Sequence, residues 1–167
     1  MSTAYDKMTR AERRVAIAKD VIKHIKAQQL RVRSCYGYVV HEAGWDGINE
    51  VVEGSKKAAE AAEKLKGTCT VCARGAMMLC KVSKFNHYEF ERGWGISSVS
   101  TTDALKDAFS EQQLNEIEDA FELNGDHYGS SWFREIPDAS DRLLAIMQNI
   151  VDHNGTFKPQ VAYEVIG

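Results

Sequence analysis

Four potential zinc ligands fall close together in the chain: Cys69 and Cys72, then Cys80, then His87. Tetrahedral zinc takes thiolate and imidazole donors, but structural sites usually set a tight pair on a knuckle and answer it with a second tight pair. Here Val71, Ala73, Met77, Met78 and Leu79 surround the thiols, and free cysteine is among the most buried residue types. The three thiols are therefore expected to be small core hydrophobes, close together on one helix face and binding no metal. A thioredoxin-type redox pair is not expected either, because Gly67-Thr68 offers no strand ahead of Cys69-x-x-Cys72.

A second frame resembles a calcium loop. With Asn124 as its first position, Asp126, Tyr128, Gly129, Ser130 and Glu135 fall at the third, fifth, sixth, seventh and twelfth. Asn124 lacks charge and Tyr128 is no carboxylate, so only Asp126 and Glu135 would attract the ion. The segment reads as a glycine-rich connection.

The third group is aromatic. Each tryptophan stands near a glycine, in Gly44-Trp45, Gly93-Trp94-Gly95 and Gly129-Ser-Ser-Trp132. Arginine forks beside aromatic faces suit a planar anionic ligand or a protein hot spot. The expected binding surface is Arg92, Trp94, Tyr128, Trp132 and Arg134, on two loops that approach each other. No Gly-x-Ser-x-Gly, Walker loop, dinucleotide fingerprint or His-Glu-x-x-His occurs, and the five histidines are scattered. The residues thus favour a binding protein over an enzyme, with no cofactor.

Charge and hydropathy narrow the partners. Residues 1–34 carry nine Lys/Arg against three acids, a local +6 that leaves −9 in the remainder of a chain of net charge −3. With a pI of about 6.0, a dedicated nucleic-acid binder is not expected. No apolar run reaches the ~20 residues of a membrane span. Met1 to Arg10 is polar rather than secretory, so a cytoplasmic location with reduced thiols is expected.

The elements that must position these residues are mainly helical. The expectation is one domain over 1–167, a compact mainly α fold of about five to six helices, with a small β element near residues 30–40. Thr9 and Glu12 form a capping box for a helix over 9–28, whose apolar stripe includes Val15, Ala18, Ile22 and Ile25. Leu30 to Val40 is β-branched and aromatic and reads as a strand or hairpin. Residues 43–47 read as a loop, and Ser55 as the cap of a helix through Lys66, stopped by a left-handed Gly67. The stretch 70–83 is apolar all round and reads as a central helix, with Gly75 marking a close helix–helix approach. Ser110 and Gln113 cap another helix, and a last helix follows Asp138 and ends at Asn154-Gly155. Gln160 to Ile166 reads as a short strand.

Taken together, Ala16-Ile-Ala-Lys-Asp-Val21, Cys69-x-Val71-Cys72-Ala73-x-Gly75-Ala76, Gln113-Leu-x-x-Ile-Glu-x-Ala-Phe-Glu122 and Asn149-Ile-Val-x-x-Asn154-Gly155 resemble segments of a loose set of small bacteriophage and prophage proteins. The set usually has an apolar residue where this chain has Arg74, which raises the question of an unpaired charge in the core helix. The resemblance implies an accessory protein acting by occupancy, in counter-defence, on a host protein or a nucleotide-like signal of host immunity. Alternatives are a small metal-dependent enzyme that degrades such a signal, or a structural protein forming a homodimer.

Overall fold

The computed structural model describes residues 4–34, 38–42, 44–85, 98–122 and 132–160. Among these the fold is mainly α, with seven helices, one 3-10 turn and a small three-stranded sheet. In order, the elements are α1 (Arg10–Lys26), β1 (Arg31–Val32), β2 (Val39–His41), α2 (Gly44–Glu53), α3 (Ala58–Thr68), β3 (Cys69–Val71) and α4 (Ala73–Phe85). They continue with α5 (Ser98–Leu105), α6 (Glu111–Phe121), the turn Trp132–Glu135 and α7 (Ala139–Asp152).

Local chemistry sets the helix starts. Thr9 Oγ1 accepts the Glu12 amide at 3.1 Å while the Glu12 carboxylate accepts the Thr9 amide at 3.0 Å. Ser110 and Gln113 repeat the arrangement before α6, and Asp138 caps α7 through the Asp141 amide. Ser55 caps nothing: its hydroxyl donates to the Val51 carbonyl, α3 starts at Ala58, and Lys57 at its N-cap makes no side-chain cap. The expected loop at 43–47 is largely the first turn of α2.

The apolar stretch from residue 69 divides in two. Cys69–Val71 is the central strand, parallel to β1 and antiparallel to β2, with Val71 opposite both Val32 and Val39. The expected hairpin near residues 30–40 is thus two strands separated by a third from far along the chain. Three residues, buried, half-buried and buried, are too few to display the alternation that marks a strand, so this one merges with the helix behind it. α4 is the buried axis, with every residue from Ala73 to Val82 buried. Gly75 does make a close approach, but to strand backbone: a Cβ there would strike the Tyr38 carbonyl.

Where α1 and α7 pack, Asn154 and Gly155 both take positive φ, and a Cβ on Gly155 would strike the Ala11 carbonyl. Gly67, in contrast, lies within α3, and Asn154 and Gln28 are the non-glycine residues of positive φ among those described. A single apolar cluster draws side chains from α1, all three strands and α2 to α7.

Candidate functional site

Of the expected binding residues, Arg92, Trp94 and Tyr128 lie outside the described residues. Trp132 opens the 3-10 turn and Arg134 follows within it, half-buried, against α6 and α7. Most of the calcium frame also falls outside them, as do His87 and all but the first residue of the strand expected over Gln160 to Ile166.

The cysteines occupy three settings rather than one helix face. Cys69 is on β3, Cys72 immediately precedes α4, and Cys80 is in the middle of α4; all three are free and buried. Burial pushes the Cys69 thiol up to about 11 and the Cys72 thiol to about 12, although backbone hydrogen bonds from Gly75 and Arg74 pull Cys72 the other way. Burial raises Cys80 as well, and the carboxylate of Asp20 adds to it. A nucleophilic or redox cysteine needs the opposite shift. A strand does end at the Cys69-x-x-Cys72 segment, yet these sulfurs stay protonated at neutral pH.

Cys80 belongs to a polar centre that sequence reading missed. Ile17, Asp20, Val21 and His24 lie at i, i+3, i+4 and i+7, so two polar groups share the face by which α1 enters the core. Asp20 is 6% and His24 9% exposed. The His24 Nδ1 is 2.7 Å from the Asp20 carbonyl oxygen, 3.5 Å from its Oδ2 and 3.9 Å from Cys80 Sγ. From α3, Lys66 places its Nζ 3.0 Å from His24 Nε2 and 2.8 Å from the carboxylate of Glu63. An ammonium only donates, so Nε2 accepts and the ring proton sits on Nδ1, where it goes to the carbonyl. Asp20 Oδ2 is left buried with no hydrogen-bond partner.

The opposite side of α4 carries cations that face α5 and α6. Arg74 donates to Thr102 at 3.0 Å and Asn115 at 2.5 Å and pairs with Glu118 at 2.9 Å, leaving only its Nε without a hydrogen bond. The question of an unpaired core charge is thereby answered. Lys81, 2% exposed, donates to the Ala104 carbonyl at 2.5 Å and meets Asp107 at 3.1 Å, over the ring of Tyr5. Burial holds its pKa down and Asp107 opposes that. Arg142 of α7 is fully buried and donates to the carbonyls of Phe121, Ile136 and Pro137, which ties α7 to the end of α6.

The basic N-terminal segment divides in the same way. Arg13 and Arg14 bend inward onto backbone carbonyls, Arg13 onto Tyr5, Asp6 and Asp107, and Arg14 onto Ala108 and Gly155. Lys19, Lys23 and Lys26 remain exposed. Between α1, the end of α4 and the turn after α7 lies an open groove of about 600 Å³. Ala11, Val15 and Ala16 form its floor, and Glu12, Lys19, Lys84 and Asn154 its rim.

No family model matches this chain, and neither the curated proteins nor the solved structures include a match. Functional reading therefore rests on these groups alone. No helix among the described residues is long and apolar enough to cross a membrane.

Proposed function

We propose that this chain is a non-enzymatic binding protein of the phage accessory kind, acting by occupancy in the host cytoplasm on a host protein or a nucleotide-like immune signal. The observation that carries the reading is the groove on α1. Its volume falls in the range of small-ligand clefts, its floor is apolar, and two lysines stand on its rim. An apolar floor whose rim carries two ammonium groups, with the one carboxylate, Glu12, taken up by the Thr9 amide, suits a flat or extended anion, with ring or side-chain surface below and phosphate or carboxylate at the edge. Lys23 and Lys26 prolong the positive stripe along α1.

Among the described residues, the clustered groups that could do chemistry support the same reading from the other side. Asp20, His24, Lys66 and Cys80 are buried, as are Cys69 and Cys72. A metal-dependent hydrolase needs its donors and its water open to substrate. In this proposal Arg92, Trp94, Tyr128, Trp132 and Arg134 supply further contacts, the guanidinium forks to phosphate and the aromatic rings to a base or an apolar side chain.

The test compares wild-type protein with Lys19→Glu/Lys84→Glu, Arg92→Ala, Trp132→Ala and Arg134→Ala, each first checked for folding. Binding is measured by calorimetry with cyclic and linear nucleotides and by capture from host lysate. Loss of one phosphate-binding arginine should weaken binding by about 1.5–3 kcal/mol. If the ligand is a protein, Trp132→Ala should cost ~2 kcal/mol or more, with little dependence on salt. Unchanged binding and unchanged cellular activity in all four variants would refute the proposed surface. Turnover of a nucleotide would refute the non-enzymatic reading.

A further inference from the structure

We propose that Asp20, His24 and Cys80 form a structural site for a divalent ion of the zinc class, clipping α1 to α4 inside the core. These three residues differ from the cysteine and His87 set suggested by sequence spacing, and the inference reverses the expectation that Cys80 is metal-free. It does not rest on the binding reading, although Lys84 of the groove rim lies 3.8 Å from Asp20 Oδ1.

Three observations carry it. First, the donors are a carboxylate oxygen, an imidazole nitrogen and a sulfur, all lying within 4.8 Å of one another. Nδ1 is 3.5 Å from Asp20 Oδ2 and 3.9 Å from Cys80 Sγ. With zinc bonds of about 2.0–2.3 Å, the edges of a tetrahedral site run roughly 3.3–3.6 Å, so small side-chain rotations close the set. Second, the Asp20 Oδ2 is more than nine-tenths buried and has no hydrogen-bond partner, whereas a buried carboxylate oxygen normally has one. Third, the charges balance. A divalent ion with one carboxylate and one thiolate is neutral; of the neighbouring charges, Lys66 and Glu63 already form an ion pair at 2.8 Å, and Lys84 Nζ, 3.8 Å from Asp20 Oδ1, is half-exposed to water. Mixed nitrogen, oxygen and sulfur donors select zinc over magnesium or calcium, which prefer all-oxygen shells.

The Cys80 S–H bond breaks, a metal–sulfur bond forms, and one proton leaves to solvent. On His24 the ring proton passes from Nδ1 to Nε2, freeing the Nδ1 lone pair for the metal and giving up the hydrogen bond to the Asp20 carbonyl. Lys66 then turns from Nε2 to Glu63, its present partner. Metal binding should therefore release one proton per ion and strengthen as pH rises.

The experiment uses the full chain, freed of metal by chelator and titrated with Zn²⁺ or Co²⁺. The expected result is one ion per chain, a cobalt–thiolate charge-transfer band in the near ultraviolet, and a melting temperature that climbs with free zinc. Cys80→Ser should remove the band, and Cys80→Ser and Asp20→Asn should each weaken binding more than about 100-fold, beyond the effect of losing an outer-shell partner. Cys72→Ser should keep both band and affinity. Because a core variant can fail to fold, wild-type protein is also alkylated with and without zinc and the modified thiols are mapped by mass. Zinc should protect Cys80 by a larger factor than Cys72, whose protection comes only from the stabilised fold. A cobalt complex without the thiolate band, a band that persists in folded Cys80→Ser, or equal alkylation of Cys80 with and without zinc would each overturn the proposal.

Discussion

The two sides of α4 handle buried charge differently. Toward α5 and α6, Arg74 and Lys81 each meet a carboxylate that keeps contact with water, the side chain of Glu118 being 27% and that of Asp107 33% exposed. Backbone and side-chain oxygens take most of the remaining donors. Toward α1 and α3, a histidine, a lysine, a thiol and a carboxylate meet; Lys66 pairs with the exposed Glu63 and Asp20 Oδ1 lies 3.8 Å from the half-exposed Lys84 Nζ, yet Asp20 Oδ2 is left over without a hydrogen bond. Burying a charge is costly unless it is paired and hydrogen-bonded. The first side satisfies its charges with groups from its own chain, apart from one guanidinium N–H, and reads as architecture. The second has unused ligand capacity and reads as a site.

The largest effect is expected from a charge placed on α4 with no partner on either side. Met77 is fully buried, and Met77→Asp is expected to abolish soluble folding. An uncompensated core carboxylate costs several kcal/mol against a total stability of roughly 5–15 kcal/mol. Thermal melting like the wild type's would show that α4 is not the axis.

Alkaline titration comes next. In the unfolded chain thiols ionise near pH 8.5, whereas in the fold Cys69 is held up to about 11 and Cys72 to about 12. Between those limits the native state binds more protons than the unfolded one, so stability falls as pH rises. It should be flat below about pH 8 and then drop by about 1.4 kcal/mol per pH unit for each thiol. Burial also holds Lys81 down, which acts in the opposite sense, and the three thiols should outweigh that one amine. Urea unfolding from pH 7 to 11 measures the slope, and a flat profile would mean that the thiols are open to water.

Glu118→Gln sharpens the comparison on the architectural side. It leaves the nearly buried Arg74 guanidinium without its counter-charge while keeping shape, and should cost about 1.5–3 kcal/mol by chemical denaturation. Asp20→Asn on the other side should be the mildest. In metal-free protein it exchanges an oxygen that has no partner for an uncharged amide, at a cost of under about 1 kcal/mol, the ordinary range for one modest hydrogen-bond change. A loss as large as that of Glu118→Gln would make the two sides alike.

What could be read from the sequence was whatever depends on near neighbours. The capping pairs Thr9/Glu12 and Ser110/Gln113, the cap at Asp138 and the positive φ of Asn154-Gly155 are local chemistry, and the structure has each of them. The sheet is not local. β3 derives its identity from β1 and β2 on either side, so Cys69–Val71 looked like the first turn of the helix that follows. Gly67 and Ser55 carried the right chemistry for a stop and a cap, and tertiary packing used neither. The polar centre was half legible. Asp20 and His24 interrupt the apolar stripe of α1 at helical spacing, a readable signal, but their meeting with Lys66 and Cys80 depends on how α1, α3 and α4 pack together.

The most direct test of the binding reading is calorimetry of wild-type protein against Lys19→Glu/Lys84→Glu, with nucleotides and with host proteins captured from lysate. The wild type should bind one anionic ligand class saturably, and the folded double variant should lose that binding. Equal binding by both proteins, or a nucleotide consumed during the titration, would contradict it.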